Sequence, residues 1–249
     1  METLSVIQLA FAALVITVAF AVRGTAGFGG QVVAVPLLAL VLPLPLVLSA
    51  VVVLAALAST GHLLRERAKI DWREIRRLLP YSLLGVIAGL YLLQHLDMRV
   101  LTKSFGVFVI LYGCFALATA SRPLRIPERA VYAAGAILST LAGATGATFG
   151  AAAGPLYVIY FNARQLERDV FRVTIATILM VQGLLRMGGY VRLGFYDYAT
   201  LVLIAAGLPL MLLGSVIGTW LAGRLDQRRF NLGISVLLLL SGTALLFKQ

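Results

Sequence analysis

The sequence predicts an all-α, polytopic membrane protein, and three observations carry this prediction. Of the 249 residues, 61% are apolar, only 12% are charged, and the mean hydropathy is +0.97. A soluble domain is about 45–50% apolar and about 25% charged, so a water-soluble fold would leave much apolar surface uncovered. Long apolar runs alternate with short polar clusters along the whole chain. In lipid, such runs form helices, because a helix satisfies its backbone hydrogen bonds internally.

The apolar runs predict the helices in chain order. Two pairs of runs consist of short limbs joined by a glycine-rich break, whereas the other runs approach the roughly 20 residues of a full span. We predict that each broken pair forms two thin spans or a re-entrant hairpin. The first run, with no basic residue before Arg23, is predicted to be a retained helix and not a signal peptide. The runs cover about 4–22, 27–42, 44–64, 78–96, 104–120, 130–143, 146–161, 173–190, 198–222 and 230–247.

An ordered series of matching residues indicates an internal duplication. A shift of 119 residues aligns the first glycine-rich break with the second, and a shift of 129 residues aligns the helices that follow. We therefore predict two homologous transmembrane repeats, residues 1–121 and 128–249, joined by a cytoplasmic linker at 122–127. The matched pairs are Gly24 with Gly143, Gly27 with Gly146, Pro36 with Pro155, Pro80 with Pro209, Gly85 with Gly214, Gly89 with Gly218, Asp97 with Asp226, Arg99 with Arg228 and Gly113 with Gly242.

The distribution of basic residues predicts that the two repeats are inverted. Lys and Arg concentrate in cytoplasmic loops. If each broken pair makes an even number of passes, the 21 basic residues divide 16 against 5, whereas a single pass per pair divides them 12 against 8 with Arg23 left in a break. Each repeat then makes an odd number of passes, so the repeats have opposite orientations and both termini lie on the periplasmic side. The net charge of +11 belongs to these loops, and no nucleic-acid partner is predicted.

The two glycine-rich breaks carry the predicted substrate site. A helix that restarts after a break presents free N–H groups and the positive end of its dipole, which favours an anion. Paired breaks at matching positions of two repeats mark the site of many transporters. Close helix packing is the alternative role of glycine in membranes, and we prefer it for Gly85-x-x-x-Gly89 and Gly214-x-x-x-Gly218. The predicted substrate-binding residues are Thr25, Gly27, Gly29, Gly30, Gln31, Thr145, Gly146, Thr148, Phe149 and Gly150.

Further polar residues in or near the apolar runs are candidates for lining a pathway: Arg23, His62, Asn162, Gln182 and Arg186. Arg23 is equally well explained by snorkelling to the interface, and His62 is better explained as an interfacial residue. All ten acidic residues are predicted in loops or at helix ends, so no carboxylate serves a proton relay or a cation cage, which favours an anion.

Several classes of protein are not supported by any motif. The single cysteine lies within an apolar run, and the two histidines have no metal-ligand spacing, so no metal or cofactor is predicted. The chain also has no P-loop, no zinc-protease motif and no nucleophile elbow, so we predict that it is not an enzyme.

A combination of short motifs supports a family resemblance. The pattern Gly24-x-x-Gly27-Phe28-Gly29-Gly30 is followed by Pro36, and it returns more loosely as Gly143-x-x-Gly146 and Gly150 followed by Pro155. Leu-Asp-x-Arg occurs at both 96–99 and 225–228. With its length and duplicated layout, the chain resembles the sulfite exporter TauE/SafE family over essentially its whole extent. The second repeat departs from the pattern, since Thr148 and Phe149 stand where the first repeat has Gly29 and Gly30.

This resemblance implies a permease of the bacterial cytoplasmic membrane for small anions, with sulfite, sulfonates and related sulfur compounds as the usual substrates. We predict a secondary transporter that binds its anion near the membrane midplane between the two breaks and rocks one repeat against the other. Its partners are the anionic solute and the lipid bilayer, and a homo-oligomer stays open. The alternatives are an anion channel and a non-transporting membrane scaffold or assembly protein. A membrane enzyme is disfavoured by the missing catalytic motifs.

Overall fold

The computed structural model describes residues 6–26, 29–119, 127–151, 153–164, 166–221 and 227–247, and the fold over these residues is all α. The predicted fold class is confirmed, and each apolar run corresponds to one helix. Most of the predicted linker, Gly27, Phe28 and Asp226 lie outside the described residues. The helices are α1 Val6–Ala26, α2 Gly30–Val41, α3 Leu44–Glu66, α4 Trp72–His95, α5 Met98–Thr119, α6 Glu128–Phe149, α7 Ala153–Ala163, α8 Arg168–Arg192, α9 Tyr198–Leu221 and α10 Gln227–Phe247.

Six helices in the described part of the chain are long and apolar enough to cross a membrane: Ile7–Thr25, Trp72–His95, Met98–Phe115, Val131–Phe149, Asp169–Arg192 and Tyr198–Leu221. The short helices α2 and α7 have 12 and 11 residues. At about 1.5 Å per residue each is well below the roughly 30 Å of a hydrocarbon core. The chain is therefore a multi-pass membrane protein in which a short helix follows the first long helix of each predicted repeat.

Each glycine break joins a long helix to a short helix that folds back along it. In the first hairpin, Gln8 Nε2 near the start of α1 donates to the carbonyl of Val41 at the end of α2, at 3.2 Å. In the second hairpin, Gly146 faces Ala153 across the break, and Gly135 faces the ring of Tyr160 further along. The end of each hairpin thus returns to the side where it began, which is the even number of passes that the charge distribution favours.

The two breaks occur at glycines with a left-handed backbone, and the second one lies at the end of the segment in which it is predicted. Gly29 has a φ of 90° and Gly150 a φ of 72°, a region that side chains disfavour. The sequence predicts the second break over residues 143–150, between the runs 130–143 and 146–161, and the structure has it at the end of this segment, because α6 continues through Gly143 to Phe149. The expected helix end near Gly143 was wrong, since a Cβ atom at Gly143 would overlap the backbone of Ser82 in α4 and the missing side chain serves packing.

The closest helix contacts form two related pairs, α4 with α6 and α9 with α1. In each pair the helices run parallel, and glycines spaced four residues apart lie against backbone carbonyls of the partner. The interpretation of both Gly-x-x-x-Gly motifs as packing motifs is confirmed. The glycines and the carbonyls that they face are Gly85 and Thr140, Gly89 and Ala144, Gly214 and Thr17, and Gly218 and Ala21.

These contacts align α1 with α6 in a register that differs from the one given by the matching glycines in the sequence. Thr140 and Thr17 differ by 123 positions, as do Ala144 and Ala21, whereas the glycine match used a shift of 119. The difference is close to one helical turn, and a slip of one turn keeps the same helix face in contact. The parallel pairs are the contacts that two inverted repeats require, and the inversion itself stays a prediction.

One acidic residue, Glu74, lies at a helix end as predicted, but its side chain is buried. Glu74, in the first turn of α4, is only 1% exposed. Its carboxylate accepts hydrogen bonds from Tyr160 Oη at 2.7 Å, Arg164 Nη2 at 2.9 Å and Arg77 Nη1 at 3.3 Å. These bonds join the start of α4 to the end of α7, so the group stabilises the end of the second hairpin.

Exposed aspartates cap two of the long helices. Asp97 Oδ1 accepts the N–H of Arg99 at 2.7 Å at the start of α5. Asp197 Oδ1 accepts the N–H of Thr200 at 2.8 Å at the start of α9. This bond from the Thr200 backbone is the main cause that lowers the pKa of the Asp197 carboxyl below its usual value.

We expect Asp197→Ala to lower the stability at neutral pH by about 1 kcal/mol, the usual value of a cap. Because the pKa is lowered in the folded protein, the carboxylate stabilises the fold when ionised, and this contribution disappears as the pH falls through the folded pKa. Thermal unfolding in detergent at several pH values measures the difference from the native sequence. Glu167→Ala is the control, since Glu167 precedes α8 without a side-chain capping bond. A difference for Asp197→Ala that persists undiminished in acid would contradict the cap.

Candidate functional site

A cavity lies where both glycine breaks meet the long helices α3 and α8. Gly29 reaches it from the first break and Ala151 from the second, and the first turns of α2 and α7 also contribute. Its empty volume, including the part open to the outside, is about 370 Å³. The lining residues are Arg23, Gly29, Gln31, Val32, Val52, Ala55, Ala56, Ser59, Ala151, Gly154, Leu179, Gly183 and Arg186.

Arg23 enters the cavity from the last turn of α1. Its side chain is 5% exposed, so it does not snorkel to the interface. The Nη2 group donates to Ser59 Oγ on α3 at 2.6 Å, whereas Nε has no hydrogen-bond partner. A cation at the C-terminal end of a helix is stabilised by the negative end of the helix dipole. The end of α1 and Ser59 together hold this guanidinium in place.

Arg186 enters the same cavity from the middle of α8. It is 1% exposed and is the largest fully buried side chain of the described residues. Its Nη1 group donates to the carbonyl of Gly146 in the last turn of α6, at 2.6 Å, and its Nε has no hydrogen-bond partner. The nearest neighbour of a Cβ atom on Gly146 would be the side chain of Ala153 at 3.1 Å, so this glycine serves the close approach of α7 to α6. Arg186 is therefore fastened to the C-terminal end of α6.

Neither guanidinium has a carboxylate partner among the described residues. The ion pairs among the described residues are Lys69 with Asp169 and Glu74 with both Arg77 and Arg164, and none involves the cavity. An arginine at the centre of a membrane helix costs roughly 3 kcal/mol on insertion scales, and such residues normally pair or face a water-filled cavity. The cavity therefore holds two positive charges with unused donors, an arrangement suited to charge-assisted hydrogen bonds with an oxyanion.

A separate polar cluster lies one helical turn from Arg186. Gln182 Nε2 donates to Ser82 Oγ at 2.5 Å and to Tyr157 Oη at 2.8 Å, and both partners are buried. Gln182 Oε1 and the nearby Ser139 Oγ have no hydrogen-bond partner. The cluster joins α8 to α4 and α7, and Gln182 does not line the cavity.

Of the residues predicted from sequence, the structure brings Arg23, Gly29, Gln31 and Arg186 together around the cavity. Gly146 takes part through its carbonyl, which accepts from Arg186. Asn162 is exposed at the end of α7. Gly27 and the side chain of His62 lie outside the described residues.

The other predicted residues serve the helices themselves. The hydroxyls of Thr25 and Thr145 donate to carbonyls one turn back, Val22 and Leu141. A hydroxyl inside a helix bonds readily to its own backbone, and the role of both residues in substrate binding stays a prediction.

The remaining predicted residues, Gly30, Thr148, Phe149 and Gly150, contact neighbouring helices near the two breaks. Thr148 and Phe149 lie within α6 and not at the start of the helix that follows the break. Gly30 packs on the backbone of Ala19 and Gly150 on Leu48. Thr148 Oγ1 donates to the carbonyls of Ala144 and Gly89, and Phe149 stacks on Phe105 and Phe108.

Sequence reasoning missed Ser59 and the small residues that make room for the cavity. Ala55, Ala56 and Ser59 lie on one side of α3, and Gly183 faces them from α8. The only signal was a concentration of small residues near the middle of two long apolar runs, which membrane helices also use for plain packing.

The fold and the cavity define a class: a polytopic helical membrane protein with two helical hairpins around a buried, cationic site. The family model of the sulfite exporter TauE/SafE matches residues 12–245, so the chain belongs to that family. It is 27% identical over 178 residues to the probable inner membrane transporter protein TsaS of Comamonas testosteroni, covering 71% of this chain and 73% of that protein. No solved structure matches. The protein is a membrane transporter, as the resemblance implied.

Proposed function

We propose that this transporter carries small anions across the bacterial cytoplasmic membrane, and that Arg23 and Arg186 hold the anion. The observation that carries the proposal is the pair of buried guanidiniums without carboxylate partners that line one cavity. Sulfite, sulfonates and related sulfur-containing anions are the proposed substrates, on the basis of the family to which the chain belongs.

The local backbone supports an anion at this place. The first turn of α2, through Gln31 and Val32, and the start of α7, at Gly154, both line the cavity. The N-terminal end of a helix carries unpaired N–H groups and a partial positive charge. The C-terminal ends of α1 and α6 carry the negative ends of their helix dipoles. Arg23 compensates this partial charge at α1, and the hydrogen bond from Arg186 to the carbonyl of Gly146 compensates it at α6. The second restarting helix would then supply amides near Gly154, since Thr148 and Phe149 lie within α6.

The position of the cavity supports alternating access. One side is formed by α1, α2 and α3 of the first predicted repeat, and the other by α7 and α8 of the second. A rocking motion of one repeat against the other would expose such a site to each face in turn.

The proposed orientation places both termini on the periplasmic side. Arg23 and Arg186 are buried and do not belong to loops, so they are left out of the count of basic residues. The remaining basic residues divide 15 against 4 between the two sides, a stronger asymmetry than the 16 against 5 counted with both arginines.

The test is uptake of radiolabelled anions into proteoliposomes, across sulfite, thiosulfate, small sulfonates and small carboxylates. We expect saturable flux of at least one sulfur oxyanion and an increase of the unfolding temperature by the same anion. Electrical recording distinguishes a channel, which gives a conductance far above the turnover of a carrier. A folded, inserted protein that neither moves nor binds any of these anions would refute the proposal and favour the scaffold alternative.

A further inference from the structure

The hydrogen bonds of the two cavity arginines stay within separate halves of the chain. Arg23 on α1 bonds to Ser59 on α3, and both lie in the first predicted repeat. Arg186 on α8 bonds to Gly146 on α6, and both lie in the second. Neither guanidinium has a hydrogen bond to the opposite half among the described residues. The two halves therefore present one fixed positive charge each to the same cavity.

The empty cavity is electrostatically unfavourable when it is closed to water. Water screens like charges, and burial in a low-dielectric interior removes this screening. In an alternating-access cycle the site passes through a state that is closed to both sides. With no anion bound, the guanidiniums of Arg23 and Arg186 would then be dehydrated and unneutralised in the same cavity.

A bound anion changes this balance. An oxyanion between the two guanidiniums neutralises charge and accepts hydrogen bonds from the unpartnered Nε donors of Arg23 and Arg186. It also links the two guanidiniums, which have no hydrogen bond to the opposite half among the described residues. A ligand shifts a conformational equilibrium by its differential affinity for the states, and here that difference favours the closed, loaded state.

We infer that the transporter is an anion exchanger: the site crosses the closed state rapidly only when loaded, so the inward movement of one anion is coupled to the outward movement of another. This inference rests on the proposed anion site and concerns its coupling. The occupant that matches both charges is one divalent oxyanion, or two monovalent anions bound together.

The test compares uptake into two sets of proteoliposomes. One set is preloaded with the unlabelled form of whichever anion shows saturable flux, and the other contains only an impermeant buffer anion. Valinomycin and equal potassium on both sides hold the membrane potential at zero, so charge accumulation does not limit net flux. We expect initial uptake of the labelled anion to be at least tenfold faster into the preloaded set.

The outcomes separate this inference from the proposed function. Equal saturable rates in both sets would overturn the exchange mechanism and leave the anion transporter standing. No saturable uptake in either set would refute the proposed function itself.

Two variants test the electrostatic cause. Arg23→Gln removes one of the two charges, and we expect the ratio of exchange to net flux to fall towards one, even where the affinity also falls. Arg192→Gln makes the same chemical change at an exposed residue outside the cavity, and it is expected to retain the ratio. A ratio of exchange to net flux in Arg23→Gln equal to that of the native protein would overturn the charge argument. If that variant does not fold, the comparison of preloaded and empty vesicles with the native sequence decides the question alone.

Discussion

Replacing Arg186 with glutamine is expected to reduce anion transport by roughly 30-fold to several thousand-fold. The guanidinium is fully buried, lines the cavity and donates to the carbonyl of Gly146. Truncating one partner of a buried, charged hydrogen-bonded pair costs about 2–5 kcal/mol, which corresponds to roughly 30-fold to several thousand-fold in affinity. Initial rates over a range of anion concentrations measure the loss, which we expect in KM and in the maximal rate.

The matched control lies on the same helix. Arg192 in the last turn of α8 is exposed, so Arg192→Gln makes the same chemical change away from the cavity and is expected to stay within about twofold of the native rate. Arg186→Lys keeps the charge but loses the planar fork, and an intermediate rate is expected. Gel filtration and thermal unfolding confirm that each variant is folded. A folded Arg186→Gln protein with native kinetics would remove Arg186 from the site.

Replacing Gly85 with leucine is expected to prevent stable assembly of α4 on α6. A Cβ atom at this position would overlap the carbonyl oxygen of Thr140, which belongs to the backbone and cannot rotate away. The helices would have to separate along the contact that also includes Gly89 and Gly143. Overpacking a core costs about 1–3 kcal/mol when neighbouring side chains can yield, and more when they cannot. Proteins are stable by only about 5–15 kcal/mol in total.

The effect on assembly is measured by the yield of monodisperse protein and by the unfolding temperature. Gly188 provides the control, because a Cβ atom there has no neighbour within 4 Å, so Gly188→Leu is expected to leave both quantities close to native. Gly85→Ala should fall between the two. An unfolding temperature of Gly85→Leu equal to that of Gly188→Leu would show that α4 and α6 are not packed as closely as described.

The sequence predicted which segments form helices and that two of them are broken, because both properties depend on local composition. Apolar length alone predicts a membrane helix. Gly29, in a dense group of glycines, marked the first break correctly. The second break could be predicted only as the segment 143–150, because Gly143, Gly146 and Gly150 are alike in sequence. Only their neighbours in space show which glycine packs and which one ends the helix. Gly143 lies against Ser82, whereas Gly150 adopts the left-handed backbone at the end of α6.

The sequence by itself therefore determined the membrane class, the order of the helices, the hairpin breaks and the family, since these follow from composition and short motifs. Only the tertiary structure decided that Arg23 and Arg186 share a cavity. A lone arginine in an apolar run has the same sequence signature whether it snorkels or is buried, because the difference lies in what surrounds it. Ser59 and the carbonyl of Gly146, brought near by helix packing, make the buried positions tenable.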